Sequence, residues 1–135
     1  MEQTNLIFKT TTKGTLYITQ AFLNDVQVCE CKISVVPKMI WTISSWFTTK
    51  EFQHNGYGAL TLKACIEEIM KNETIPAKVE YIWNGKNIYV LKWLVKHFDA
   101  VCTCPIAVQK YAADDDWESH IYVLNRNKFI TYCIA

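Results

Sequence analysis

The hydrophobic pattern begins with period two. From Thr15 to Phe22 β-branched and aromatic residues predominate, and the run reads as a strand. Asn24-Asp25 follows as a turn signal. Val26 to Val36 then alternates: Val26, Val28, Glu30 and Lys32 are set against Gln27, Cys29, Cys31 and Ile33. That predicts a second strand, in a hairpin with the first. Pro37-Lys38 interrupts it, and Met39 to Thr49 predicts a third. The period changes at Tyr57. Leu62, Ile66 and Ile69 fall on one helical face with Leu60, Cys65 and Met70, while Thr61, Lys63, Glu67, Glu68 and Lys71 fall elsewhere. The spacing predicts an amphipathic helix over 57–72, ended by Thr74-Ile75-Pro76. Lys78 to Trp83 predicts a short strand with Val79, Tyr81 and Trp83 on one face, and Asn84-Gly85 a turn. Lys86 to Phe98 is helical through Ile88, Leu91, Val95 and Phe98. Ala100 to Ala107, Ile121 to Leu124 and Phe129 to Ile134 predict strands, with Asn125-Arg126-Asn127 turning between the last two.

The central strand–helix–strand–helix unit implies parallel pairing through a right-handed crossover, while the outer strands can pair antiparallel. The expected fold class is mixed α/β: a central mixed sheet flanked by helices. With 135 residues, half of them hydrophobic, the chain suits one domain over residues 1–135 with one core.

Charge and cysteines narrow the partners. The formal net charge is +1 without a long basic run, so a broad basic face for nucleic acid is not expected. No run of about 18 apolar residues exists, so no membrane span is expected. The start, Met-Glu-Gln-Thr-Asn-Leu-Ile-Phe-Lys, lacks the charged and apolar regions of a signal peptide. Within Cys29/Cys31 and Cys102/Cys104 the two thiols share a strand face roughly 7 Å apart. That is long for a disulfide, and the spacing is short for zinc ligands. Reduced, buried cysteines and a cytoplasmic location are expected, with no metal site. Asp114-Asp115-Asp116 reads as a solvated turn, and Lys110 to Ser119 as a mobile loop.

The segment with chemical content is Gln53-His54-Asn55-Gly56-Tyr57-Gly58, between a predicted strand and a predicted helix. Glycines let the backbone approach a ligand, and the free amides of a helix start can hold phosphate oxygens. An ordinary tight turn would look the same. The segment is no Walker loop, since no Gly-Lys-Ser/Thr follows, and it lacks the third glycine of a dinucleotide fingerprint.

The run from Trp46 to Gly58 resembles the GNAT superfamily of N-acetyltransferases, which carry a strand, a loop and then Arg/Gln-x-x-Gly-x-Gly/Ala opening a helix. Val79 to Asn84, followed by Ile88 to Leu94, is similar to their next strand, asparagine and helix. The resemblance covers about Met39 to Phe98. It implies an enzyme that transfers acetyl from acetyl-CoA to a primary amine by direct attack: a protein lysine, a protein N-terminus or a small amine. It also implies that the backbone of Trp46, Phe47 and Thr48 pairs with pantetheine. Gln53 opens the motif; the amides of His54, Asn55, Gly56, Tyr57, Gly58 and Ala59 hold pyrophosphate, and Asn84 contacts pantetheine. Strands diverging after Trp46 and at Trp83 would open the acyl slot.

The chain also departs from that family. Counting from Asn84, the place of its proton-donating tyrosine holds Leu91, and Tyr89 lies about 200° away round a helix. Val95 replaces a usual glycine, and the Met39–Thr49 strand carries no acid to serve as a base. Glu30 and Glu80 read as sheet residues; His97 and His120 read as surface or edge residues. No catalytic residue is assigned. Ile40 to Ser45, Tyr81-Ile82-Trp83, Leu91 to Leu94 and Phe129 to Ile134 also resemble small GNAT-like proteins of short-tailed bacteriophages, some of them internal virion proteins. That narrower resemblance implies a phage protein in the host cytoplasm: a CoA-binding, structural or host-modulating protein with little or no catalysis.

Overall fold

A computed structural model of the protein describes residues 5–83, 88–103 and 120–134. Two hairpins build the first half. Strand β1 (Leu6–Lys13) pairs antiparallel with β2 (Leu16–Leu23), and β2 with β3 (Val26–Val36). Asn24 and Asp25 both have positive φ, 51° and 69°, which matches the twist of a two-residue hairpin loop. The sequence pattern did not predict β1. It is an edge strand whose residues are mostly exposed, so it has no buried face to impose alternation.

Strand β4 (Ile40–Thr48) follows antiparallel to β3, and a short 3-10 turn (Lys50–Phe52) leads to helix α1 (Tyr57–Met70). Strand β5 (Lys78–Trp83) then lies parallel to β4. Helix α2 (Ile88–Phe98), β6 (Val101–Cys102), β7 (His120–Val123) and helix α3 (Arg126–Ile134) complete the order. The sheet runs β1-β2-β3-β4-β5-β7-β6 and is antiparallel except at β4/β5. No helix among the described residues is long and apolar enough to cross a membrane.

Register separates the two faces. Cys31, Ile33, Val35, Trp41, Ile43, Trp46, Val79 and Tyr81 are linked as cross-strand partners and are buried. The helices cover this face: α1 buries Leu62, Cys65, Ile66 and Ile69, α2 buries Leu91, Leu94 and Phe98, and α3 buries Phe129. The opposite face is polar. There Gln20 Nε2 donates to Gln27 Oε1 at 3.1 Å and Glu30 Oε1 at 3.4 Å, and Thr42 Oγ1 donates to Glu80 Oε2 at 3.3 Å. Lys32 and Lys78 pair with Glu30 and Glu80 at 3.7 and 4.0 Å. Both carboxylates are therefore engaged within the sheet surface.

Two bulges break the simple alternation. Ala21 pairs with Cys29 and Phe22 with Gln27, which leaves Val28 unopposed. Lys32 pairs with Ser45 and Ile33 with Ile43, which leaves Ser44 unopposed. The second bulge shifts the inward phase from Trp41 and Ile43 to Trp46. The β4/β5 ladder ends at Ile43↔Tyr81, so the strands part earlier than the divergence expected after Trp46 and at Trp83.

The last predicted strand is a helix. Asn125 Oδ1 accepts from the Lys128 amide at 3.0 Å, and Asn125 O from the Phe129 amide at 3.0 Å, so the expected turn is an N-cap instead. Phe129, Tyr132 and Cys133 then pack on the core at helical spacing, overriding the β-favouring Ile130-Thr131-Tyr132. Asn125→Ala is expected to cost about 1 kcal/mol of stability in chemical denaturation, the usual loss for an N-cap oxygen; an unchanged midpoint would count against the cap. The predicted strand over 100–107 is observed as Val101–Cys102, and residues 104–119, with Cys104, Asp114-Asp115-Asp116 and Lys110 to Ser119, lie outside the described residues.

Candidate functional site

Where β4 continues past its ladder with β5, it runs straight into the glycine-bearing loop. His54 (φ 69°) and Gly56 (φ 78°) both take left-handed conformations and fold the chain back toward the strand. Asn55 Nδ2 donates to Phe52 O at 3.2 Å and Gln53 O at 3.3 Å, closing the loop internally. Gln53 Nε2 donates to Thr48 O at 3.1 Å and ties the loop to the end of β4.

Helix α1 starts at Tyr57 with Gly56 as N-cap and no side-chain cap. Its ladder opens with Leu60 N donating to Gly56 O at 3.2 Å, so the amides of Tyr57, Gly58 and Ala59 precede the first intrahelical bond. They carry the positive end of the helix dipole. Trp46 Nε1 donates to Gly58 O at 3.0 Å and pins this turn to β4. A Cβ at Gly58 would lie 3.3 Å from Thr48 Oγ1 and 3.7 Å from Trp46 Nε1, so glycine is what permits the approach.

A cleft of about 180 Å³ opens at this junction. Of the residues expected at the site, Trp46, Phe47, Thr48, Gln53, His54, Gly56, Gly58 and Ala59 line it. Asn55 is turned into its own loop, and Tyr57 packs against the core. Asn84 lies outside the described residues.

The opposite wall is α2, which contributes Tyr89, Val90 and Trp93. These were not among the expected site residues. Of the helical pattern through Ile88, Leu91, Val95 and Phe98, Leu91 and Phe98 are buried as expected, but Ile88 and Val95 are exposed and Leu94 is buried in their stead. Leu91, the place reached by counting from Asn84, is only 7% exposed and belongs to the core, whereas Tyr89 is 66% exposed and faces the cleft. The roughly 200° between them is what puts Tyr89 on the open side. The available signal was the i, i+4 aromatic pair Tyr89/Trp93.

Aromatic contacts join the walls. The His54 and Tyr89 rings meet edge to face at 6.0 Å, and Trp46 and Trp93 at 5.4 Å. Among the described lining residues none is an Asp or Glu. Behind the cleft, Cys29, Cys31 and Cys65 are buried free thiols. Burial pushes the Cys29 and Cys31 thiols up, so they stay protonated; Cys29 Sγ lies 3.4 Å from Thr48 Oγ1, within hydrogen-bond reach. The site thus offers an apolar, aromatic-walled groove with a row of amide donors at one end. Such an arrangement suits an elongated ligand with a phosphate group at that end.

No family model matches the sequence, and no curated protein matches it. Solved structures do match the fold. A GNAT family acetyltransferase from Elizabethkingia anophelis with acetyl-CoA bound superposes with a TM-score of 0.63 at 12% identity, covering 90% of this chain and 98% of that one. The PaiA N-acetyltransferase from Thermoplasma acidophilum in complex with coenzyme A gives 0.59 at 14% identity, covering 82% of this chain and 61% of that one. Nourseothricin acetyltransferase gives 0.62 at 11% identity, covering 90% and 84%. The chain has the fold of the GNAT acetyltransferases.

Proposed function

We propose that the protein is an acetyl-CoA-dependent N-acetyltransferase, acting in the cytoplasm on a primary amine: a protein lysine, a protein N-terminus or a small amine. The observation that carries this reading is the junction itself. Beyond Ile43 the described β4 has no β5 partner, and the chain leads from it through the Lys50–Phe52 turn and the glycine-bearing loop to the uncapped amides of Tyr57, Gly58 and Ala59. The glycine at position 58 fits the cradle, because a Cβ there would crowd Thr48 and Trp46.

On this reading the amides of α1 hold the pyrophosphate, and the β5-side edge of β4 from Ser45 to Thr48, whose other edge pairs with β3, takes the pantetheine arm. Acetyl-CoA supplies the activated acyl group. The amine attacks the thioester carbonyl carbon, the carbon–sulfur bond breaks and CoA leaves as the thiolate; the amine nitrogen gives up a proton to solvent, and the thiolate takes one up from solvent to become the thiol. Holding both reactants in one cleft supplies orientation. Tyr89 is the residue with an ionisable side chain that α2 contributes to the cleft lining, and Trp46 and Trp93 make its walls aromatic.

One observation favours a second reading, a protein of this fold that binds CoA without turnover, as a structural or host-modulating phage protein would. No carboxylate lines the cleft among the described residues, so a base would have to come from elsewhere. Thermal denaturation separates these outcomes. Millimolar acetyl-CoA is expected to raise the melting temperature by mass action, and ATP to do so less. No shift with acetyl-CoA would refute both readings. If acetyl-CoA binds, thiol release over a panel of amines identifies the enzyme, and binding without release identifies the second reading.

A further inference from the structure

The first turn of α1 is intrinsically weak. It holds two glycines across its cap and second position and has no side-chain cap, so it should fray. Two donors from outside the helix brace it. Trp46 Nε1 reaches Gly58 O from β4, and the Tyr132 hydroxyl donates to Ala59 O at 3.1 Å from α3. Gly58 O and Ala59 O also stand where the helix ladder would use them, and a carbonyl has lone pairs for both donors.

Tyr132 is well placed to hold its end. Its ring meets Trp93 at 6.1 Å and Phe98 at 5.2 Å, both edge to face. Lys63 Nζ donates to Tyr132 O at 2.7 Å and sits 4.8 Å from the ring centroid. Tyr132 therefore grips α1 at Ala59 and again one turn on at Lys63. Burial pushes its hydroxyl up to about 12, so it keeps the proton it donates at neutral pH. Tyr132 itself does not line the cleft.

We propose that Tyr132 is a positioning residue for the anion cradle: through Ala59 it fixes the first turn of α1 so that the Tyr57–Ala59 amides converge on a pyrophosphate group. A donor on one peptide also polarises its neighbours along the turn. The pyrophosphate rests on the acetyl-CoA reading above; the bracing of the turn does not.

Tyr132→Phe keeps the ring and removes the donor. In the full chain it is expected to weaken CoA by about threefold to tenfold in calorimetry, the range of one hydrogen bond. S-acetylpantetheine, which lacks phosphates, should bind as before. Amide exchange at Gly58, Ala59 and Leu60 should quicken while exchange near Met70 does not. Unchanged CoA affinity would overturn the proposal, as would an equal loss for S-acetylpantetheine, which would signal general loosening. If CoA does not bind the native chain, the acetyl-CoA reading falls and inorganic pyrophosphate becomes the probe. Weaker pyrophosphate binding in Tyr132→Phe, with faster exchange in that turn, would still support the positioning role. Unchanged pyrophosphate affinity, or no pyrophosphate binding to the native chain, would overturn it.

Discussion

Replacing Gly56 with tryptophan is expected to abolish acetyl-CoA binding, raising Kd by at least about a hundredfold, or about 3 kcal/mol, while the chain still folds. Gly56 lines the cleft at φ 78° and caps α1. An L-residue there is strained by roughly 1–2 kcal/mol, which lowers stability without unfolding a domain of ordinary stability. A Cβ at this position meets nothing within 4 Å, so the side chain's first atom is accommodated. The indole instead competes with ligand for a cleft of about 180 Å³. Gly56→Ala separates the two effects. It carries the same strain with little bulk, and its affinity should fall by no more than about tenfold, the equivalent of 1.4 kcal/mol. Calorimetry with acetyl-CoA, alongside melting curves for both variants, measures the difference. Tryptophan and alanine variants of equal affinity would remove Gly56 from the binding surface.

That loop was legible because its information is local. The glycines, the strand before them and the helix after them lie within one short stretch, and each element forms where the pattern puts it. The hairpin of β2 and β3 was legible for the same reason, since Asn24-Asp25 names its own turn. The remaining features depend on contacts that a linear pattern does not carry. Strand β1 exists because β2 offers it an edge, not because it has a core face of its own. The bulge at Ser44, which parts β4 from β5, leaves no mark in Ile43-Ser44-Ser45-Trp46 that alternation would reveal. On α2 several arcs are apolar, and only docking of Leu91, Leu94 and Phe98 turns Tyr89, Val90 and Trp93 to the cleft. The lining of the candidate cleft was thus readable along β4 and α1, while along α2 only the i, i+4 pair Tyr89/Trp93 hinted at it. Leu91 sits in the core, and Tyr89 is the tyrosine that α2 brings to the cleft.

Phe129→Ala is expected to be the most destabilising change at the C-terminal end, costing about 3–5 kcal/mol in chemical denaturation and lowering the melting temperature by on the order of 10 °C. Phe129 is fully buried. Its ring lies edge-on to Trp41 at 6.0 Å and to Phe98 at 5.6 Å, so it joins α3 to both the sheet and α2. Among the described residues Trp41 Nε1 is buried without a hydrogen-bond partner, so the ring contact with Phe129 is one of those that hold the indole. Removing Phe129 therefore leaves a cavity beside the Trp41 indole and takes away one of the rings packed against it. The same helix carries Tyr132, so Phe129→Ala should also weaken the hold on the first turn of α1. Thr131 supplies the control that decides the segment's conformation. A strand would set Phe129 and Thr131 on one face, whereas the helix leaves Thr131 exposed, with Oγ1 donating back to Asn127 O at 3.0 Å. Thr131→Ala should change stability by no more than about 0.5 kcal/mol, as exposed positions do. A large loss at Phe129 with none at Thr131 is the signature of a helix, and comparable losses at both would return the segment to a strand.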